Sequence, residues 1–483
     1  MTLDLRAVLI ITAAALVYAA LLPARWRGWA LFLGSAAAIY LLQPPLAIRF
    51  SDFLLPTATL VLATGLWWAT RAPGQTFTRE DGLALLLLAG VILALSLMRF
   101  VDAPYRLTPS RPPDPLMLAA GLLVVGLVLA GGWQVARRLL PAKGLLALLI
   151  VLLVAVFIIW KADALAVAVS AAWRGATGQD MSLASMSDLN WLGFSYVAFR
   201  LIHLLRDRMS GLLPALTLRE HITYVIFFPS FIAGPIDRAE RFADDLRALP
   251  ALAGLDAPRW IEAATRITAG LVKKFVIADG LAQGMALNSV NAAQTDSPLW
   301  LWLLLYGYAL RLFFDFSGYT DIAIGLGLLF GVRLPENFNR PYLKTSITAF
   351  WQSWHITLSN WARFYVFSPL SRWLLMRQPR PSPALIVLTT QTATMLVIGL
   401  WHGVTLNFVI WGVWHGLALF VHKQWSDRTR AWYRRLNETP RRKHLWTAAT
   451  WFVTFHYVVL GWVWFALPDA GQAARVLLRL FGL

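Results

Sequence analysis

Apolar stretches alternate with short polar connections along almost the whole chain. In the N-terminal third they fall at residues 7–22, 29–42, 53–70, 82–98, 116–135 and 144–160, built of Leu, Ala, Val and Ile with almost nothing polar inside. Each approaches the roughly 20 residues that cross a bilayer as a helix. From residue 188 the pattern changes: His, Asp, Asn, Arg, Lys, Pro and Gly enter or flank apolar stretches at 191–205, 222–235, 261–285, 300–331, 384–402, 405–422 and 446–466. Polar residues at membrane depth mark sites or pathways, and irregular backbone is tolerated there only against protein or a water-filled cavity. The pattern predicts an all-α, polytopic integral membrane protein with roughly 11–13 transmembrane or re-entrant helices. Residues 1–187 read as scaffold and 188–483 as the working part.

Composition sharpens this picture. Of 483 residues, 58% are hydrophobic and 14% charged, which excludes a string of soluble domains. The net charge of +18 would suggest nucleic acid in a soluble protein, but no basic, aromatic-interleaved module is present. Lys and Arg collected in cytoplasmic loops explain the charge, and 24 Trp fit interfacial belts. Arg25 and Arg27 follow the first apolar run and further spans come directly after, so that run reads as a retained helix rather than a signal peptide. Loop charges favour an extracytoplasmic N-terminus. The basic stretches 371–383 and 423–443 read as cytoplasmic, and the 39 residues between them cross twice with a turn near Gly403–Leu406. That places His402 at a helix end. The absence of Cys excludes disulfides and thiolate nucleophiles.

Histidine leads the search for chemistry, because it titrates near neutral pH and can take a proton from a hydroxyl. Of eight, His444 and His422 read as solvated or interfacial, and His203, His221, His456 and mid-helix His415 as packing residues. His402, in Gly399-Leu400-Trp401-His402-Gly403, reads either as a core histidine bonded to a carbonyl or as a general base shielded from water by Trp401. His355 lies in a segment where Trp351, Trp354, Leu358, Trp361 and Tyr365 recur at helical spacing. Ser359 is one turn beyond His355, so the two can line a polar path. Asp315 sits inside an apolar span with Arg311 four residues before it, a spacing that allows an ion pair across one turn. Gly327 and Gly331 offer close helix contact. Walker, Gly-x-Ser-x-Gly and His-Glu-x-x-His motifs are missing, which removes support for ATP-driven transport and zinc proteolysis. The residues alone leave a histidine-lined transferase or a transporter.

Six segments taken in order carry a resemblance. They are Gly193-Phe194-Ser195-Tyr196; Phe227-Phe228-Pro229 through Gly234-Pro235-Ile236-Asp237-Arg238; Gly270 through Lys273-Lys274 to Asp279; Phe314-Asp315-Phe316-Ser317-Gly318-Tyr319 through Pro335-Glu336-Asn337-Phe338-Asn339; Phe350-Trp351 through Trp361; and Trp401-His402-Gly403. The set resembles the bacterial branch of the membrane-bound O-acyltransferase family, whose members acetylate alginate or transfer D-alanine to teichoic acid. The resemblance implies helices around a central tunnel in the bacterial cytoplasmic membrane. Through it an acyl group passes from a cytoplasmic thioester, acetyl-CoA or an acyl carrier protein, to a hydroxyl of an exported glycan or cell-envelope polymer. It further implies His402 as general base and His355 as the second histidine, with Trp401, Asp315 and Ser359 lining the tunnel or binding substrate. No bound cofactor, no metal and no nucleic acid are expected, while an extracytoplasmic acyl-transfer partner protein and membrane lipid are. The alternative is a transporter or flippase of an acyl group or glycolipid that makes no bond. Gly234 to Arg238 and Arg241-Phe242 lean to the D-alanyl members, whereas Asp315 to Asn339 and Gly461 to Phe465 lean to the alginate members. After Trp361 the family's aromatic-Arg-Asp-Tyr pattern is replaced by Ala362-Arg363-Phe364-Tyr365, so a carboxylate is missing beside the His355 segment.

Overall fold

The computed structural model describes residues 5–252, 254 and 256–483, and every regular element among them is helical apart from one isolated antiparallel bridge. Among the described residues, seven helices are long and apolar enough to cross a membrane: Ser51–Thr70, Arg79–Phe100, Pro115–Leu139, Ala142–Lys161, Pro298–Leu329, Pro383–His402 and Pro440–Ala466. The chain is thus an all-α, multi-pass membrane protein. The remaining apolar stretches form shorter or interrupted helices, and the chain divides into two compact units.

The first unit comprises residues 1–267 and 323–334. It contains α1 (Leu5–Leu21), α2 (Arg27–Leu41), α3 (Ser51–Thr70), α4 (Arg79–Ser96), α5 (Pro115–Leu139), α6 (Ala142–Lys161), α7 (Asp163–Ala176), α8 (Phe194–Met209), α9 (Leu218–Ile226), α10 (Ala239–Ala248) and most of α11 (Ala257–Leu271). Capping sets several starts: Thr78 accepts from Asp81 N and Thr217 from Glu220 N, each within a reciprocal capping box. The core is built by inner faces of α2, α3, α8 and α9, where Leu31, Phe32, Leu60, Leu201, Ile222 and Val225 are fully buried. α5 keeps most of its apolar surface exposed, as a lipid-facing helix does. The span expected over 222–235 is broken. Thr217 starts α9 early, and after Ile226 the chain leaves the helix at Phe227 and reaches Pro229, which cannot donate to a continuing helix.

Beyond the packing role expected for it, His203 has polar neighbours. Its Nε2 lies 3.1 Å from Asp207 and 3.9 Å from Glu240. This trio carries metal-ligand chemistry, but the Arg238 guanidinium already pairs with both carboxylates and supplies the cation.

The second unit comprises residues 268–322 and 335–483. Its principal helices are α12 (Pro298–Leu329, through Ile322), α13 (Ile347–Trp351), α14 (Ile356–Ala362), α15 (Pro383–His402), α16 (Leu406–Arg428) and α17 (Pro440–Ala466). The single span expected at 261–285 is divided: the helix ending at Leu271 continues as a wider π-helical segment, Val272–Ala278. There Lys274 Nζ meets Asp315 at 2.6 Å and Lys273 Nζ meets Asp321 at 2.5 Å. Asp315 therefore pairs with a lysine 41 residues away rather than with Arg311. Neutralising both aspartates makes them tolerable inside a spanning helix.

Candidate active site

His402 is the last residue of α15, and Gly403 to Thr405 lead directly into α16. Ser382 caps the helix start by accepting from Leu385 N, with Pro383 at the first helical position. The two helices pack closely because Gly399 carries no side chain. A Cβ there would stand 2.4 Å from the Phe408 carbonyl oxygen. This approach brings the Phe408 ring beside His402, stacked at 5.8 Å between centroids. Trp401 at 4.5 Å, Phe465 at 4.7 Å and Trp411 at 5.9 Å surround the same imidazole. Four rings thus surround a half-buried imidazole, with Phe465 brought in from α17.

His355 also neighbours Trp401, at 6.0 Å between ring centroids. The continuous helical stripe expected from Trp351 to Tyr365 does not form. α13 ends at Trp351, and His355 takes a left-handed backbone (φ 44°) as the residue before α14. The break is imposed from a distance in sequence. Phe338 bridges Trp354, Asn339 N donates to Ser353 O at 3.0 Å, and Ile356 N donates to Asn337 O at 2.9 Å. The buried Asn337 side chain completes the clamp. Its Oδ1 accepts from Thr357 N at 3.2 Å and from Thr357 Oγ1 at 2.6 Å. Phe316 meets the His355 ring edge to face at 4.6 Å. His355 lies outside the spanning helices. Burial first, and the neighbouring His402 second, hold its pKa well below the ordinary histidine value, so it is a neutral imidazole.

Of the residues singled out in the sequence, His355, Trp401 and His402 come together here. Ser359 is held away: its hydroxyl donates to the Trp354 carbonyl at 3.3 Å. Asp315 is engaged by Lys274, while its neighbour Phe316 is the residue that touches His355. Asn337, Phe408 and Phe465 were not singled out individually. Asn337 and Phe465 carry a sequence signal, because they fall in segments that carry the family resemblance; Phe408 carries none beyond its closeness to Gly403. Elsewhere His422 bonds Thr348, His456 bonds Tyr306, His444 bonds its own helix, and His221 and His415 are fully buried.

Chemically, the arrangement offers two imidazoles that both neighbour one indole in an aromatic surround. A ring nitrogen in such a setting can accept a hydroxyl proton while bulk water is kept away.

Comparison with known proteins matches residues 129–461 to the family model described as MBOAT, membrane-bound O-acyltransferase family. A Pseudomonas fluorescens protein named probable alginate O-acetylase AlgI is 36% identical over 291 residues, 60% of this chain and 54% of the relative. The peptidoglycan O-acetyltransferase of Helicobacter pylori is 34% identical over 268 residues, 55% of this chain and 47% of that protein. The teichoic acid D-alanyltransferase of Streptococcus thermophilus is 32% identical over 297 residues, 58% of this chain and 69% of that protein. The match spans about half the length of the O-acetylating relatives.

Proposed function

This chain belongs to the membrane-bound O-acyltransferase family, and from that premise we propose that it moves an acyl group from a cytoplasmic thioester to a hydroxyl of an exported glycan or cell-envelope polymer. The observation that carries the reading is the grouping of His355, Trp401 and His402 at the break between α15 and α16. The names of the relatives, two acting on polysaccharide or peptidoglycan and one on teichoic acid, support a polymer hydroxyl as acceptor. The bacterial cytoplasmic membrane is the location this reaction requires, since it separates donor from exported polymer. Acetyl-CoA and an acyl carrier protein are both suitable donors, and an extracytoplasmic partner would pass the group on.

In the proposed mechanism His402 accepts the proton of the acceptor hydroxyl as its oxygen attacks the thioester carbonyl. The C–S bond of the resulting tetrahedral adduct breaks, the thiolate leaves, and the imidazolium returns the proton to it. An ester and a thiol result, with no acyl-enzyme. His355 orients the reactants as a neutral hydrogen-bonding group, and Trp401 excludes water that would hydrolyse the donor. Asp315 and Ser359 act one step back: Asp315 fixes Phe316 through Lys274, and Ser359 secures the turn that presents His355. Residues 1–187 serve as scaffold.

The test supplies inverted membrane vesicles with radiolabelled acetyl-CoA or labelled carrier-bound donor. Label in ester linkage to polymer, released by mild base, is the expected result and identifies the donor. Label that crosses the membrane without covalent product would favour the transporter reading instead.

A further inference from the structure

Arg311 has the spacing to pair with Asp315, and the structure denies it that partner. Lys274 holds Asp315 at 2.6 Å, and among the described residues the Arg311 side chain makes no ion pair, hydrogen bond or ring contact. It stands 13 residues after the start of α12 and 18 before its end. At 1.5 Å per residue that is roughly 20 Å and 27 Å, too far for an arginine side chain to carry its charge to either end of the helix. One turn earlier on the same face is Tyr308. The two interact electrostatically, and the Tyr308 hydroxyl likewise has no hydrogen-bond partner among the described residues. Both side chains are half-buried, and none of their polar atoms is sealed inside the protein.

An unpaired guanidinium inside a spanning helix is costly against lipid and faces protein or a water-filled path instead. Lys274 and Asp315 neutralise one another, so Arg311 leaves this stretch of α12 with a net positive charge. Two donors side by side without an acceptor, one of them a planar fork, suit a carboxylate or a phosphate. The same helix reaches the histidines, and all the residues concerned belong to the second unit. Phe316, five residues on and about 7.5 Å along the axis, is the ring that meets His355 at 4.6 Å. Tyr308 also interacts electrostatically with Tyr342. The Tyr342 hydroxyl donates to Ala309 O at 2.9 Å and accepts from Trp462 Nε1 at 3.1 Å. Its ring lies 5.5 Å from that of Trp354, the residue before His355. One helix and one anchored tyrosine thus tie the two free donors to the layer that holds His355.

We propose that Arg311, assisted by Tyr308, binds an oxyanion, a carboxylate or phosphate, carried by one of the substrates that react at His355 and His402. The inference rests on the transfer reading and deepens it: one of the two substrates is anionic, and Arg311 is the residue that selects it. Two sources carry that chemistry, the phosphate of a phosphopantetheine-type donor thioester and an acidic group on the accepting polymer.

The experiment uses the full chain in detergent and compares wild type, Arg311→Gln, Arg311→Lys and Tyr308→Phe at equal abundance. Ester formation is measured with acetyl-CoA or the phosphate-free thioester S-acetyl-N-acetylcysteamine as donor, and with an oligouronate, a glycerol-phosphate oligomer or a neutral glucan oligomer as acceptor. Equilibrium binding of labelled CoA and of the acidic oligomers is measured on the same proteins. Wild type should prefer the charged form of one substrate. Arg311→Gln should lower kcat/KM for that form by about tenfold to a hundredfold, the loss expected for one charged hydrogen-bonding group, mainly through KM, and the preference over the uncharged form should collapse. Arg311→Lys keeps the charge without the fork and should fall between, and Tyr308→Phe should lose less, which separates lost recognition from lost folding. Loss confined to acetyl-CoA assigns the anion to the donor, and loss confined to an acidic oligomer assigns it to the acceptor. Binding that depends on Arg311, with no ester formed by wild type, would uphold the anion site and sink the transfer reading. Ester formation by wild type with no preference for a charged substrate, or with rates and binding within twofold in Arg311→Gln, would overturn the anion site and leave the transfer reading standing. Neither binding nor ester in wild type would overturn both.

Discussion

Asn337→Ala is the most informative perturbation away from the histidines themselves. The Asn337 side chain is fully buried and its Oδ1 accepts two hydrogen bonds from Thr357, while its backbone carbonyl accepts Ile356 N. Alanine keeps the backbone bond and removes the other two. Leaving the Thr357 amide and hydroxyl without that acceptor costs roughly 2–6 kcal/mol, at about 1–3 kcal/mol for each buried group. The turn so anchored holds His355 at φ 44°, a left-handed conformation that disfavours a non-glycine residue by about 1–3 kcal/mol. The lost anchoring equals or exceeds the strain it opposes, so the turn relaxes and His355 leaves its place beside Trp401. Acyl transfer in membrane vesicles, normalised to protein abundance, should then fall by about tenfold to a hundredfold, each factor of ten corresponding to about 1.4 kcal/mol. Thr357→Val, which removes the hydroxyl and keeps the amide bond, should lose less. Transfer by Asn337→Ala within twofold of wild type, at equal abundance, would refute the reasoning that this clamp positions His355.

Three further outcomes follow from the same geometry. Lys274→Leu leaves the half-buried Asp315 without its partner and should reduce membrane abundance, and Lys274→Leu with Asp315→Leu should recover most of it, measured by quantitative immunoblot of membranes. Gly399→Leu forces α15 away from α16, because even a Cβ would meet the Phe408 carbonyl at 2.4 Å, and should lower thermal stability in detergent while abolishing transfer. For pH, the folded state binds a proton at His355 more weakly than the unfolded chain does, so its stabilising contribution is present above the unfolded value near 6.5 and is lost as pH falls below it. Between pH 7.5 and 5.5 the thermal midpoint should drop more in wild type than in His355→Asn, and equal drops would contradict a neutral buried imidazole.

How much of this was legible in the sequence depends on the range over which each feature is determined. The all-helical membrane class followed from span-length apolar runs, and His402 could be placed at a helix end from Gly403 and the two basic stretches around it. Both are local signals. The stripe from Trp351 to Tyr365 misled for the opposite reason. Its spacing suits a helix, yet the antiparallel pairing of 337–339 with 353–356 breaks that helix and turns His355 over. Asp315 likewise had a local partner at the right spacing in Arg311, and tertiary structure supplied Lys274 instead. Asn337 was visible only as one letter of a motif, since its side chain acts on residues 20 positions away. Arg27 follows the first apolar run, and nothing near it in sequence signals its burial against residues such as Leu252.

The central claim is that His402 removes the acceptor proton in an acyl transfer. Its most direct test compares wild type with His402→Ala in vesicles given labelled donor and acceptor, measuring ester-linked product, donor binding and protein abundance in the same preparation. The account predicts that product formation is abolished while donor binding and abundance stay within twofold of wild type. Ester product from His402→Ala at the wild-type rate would contradict it.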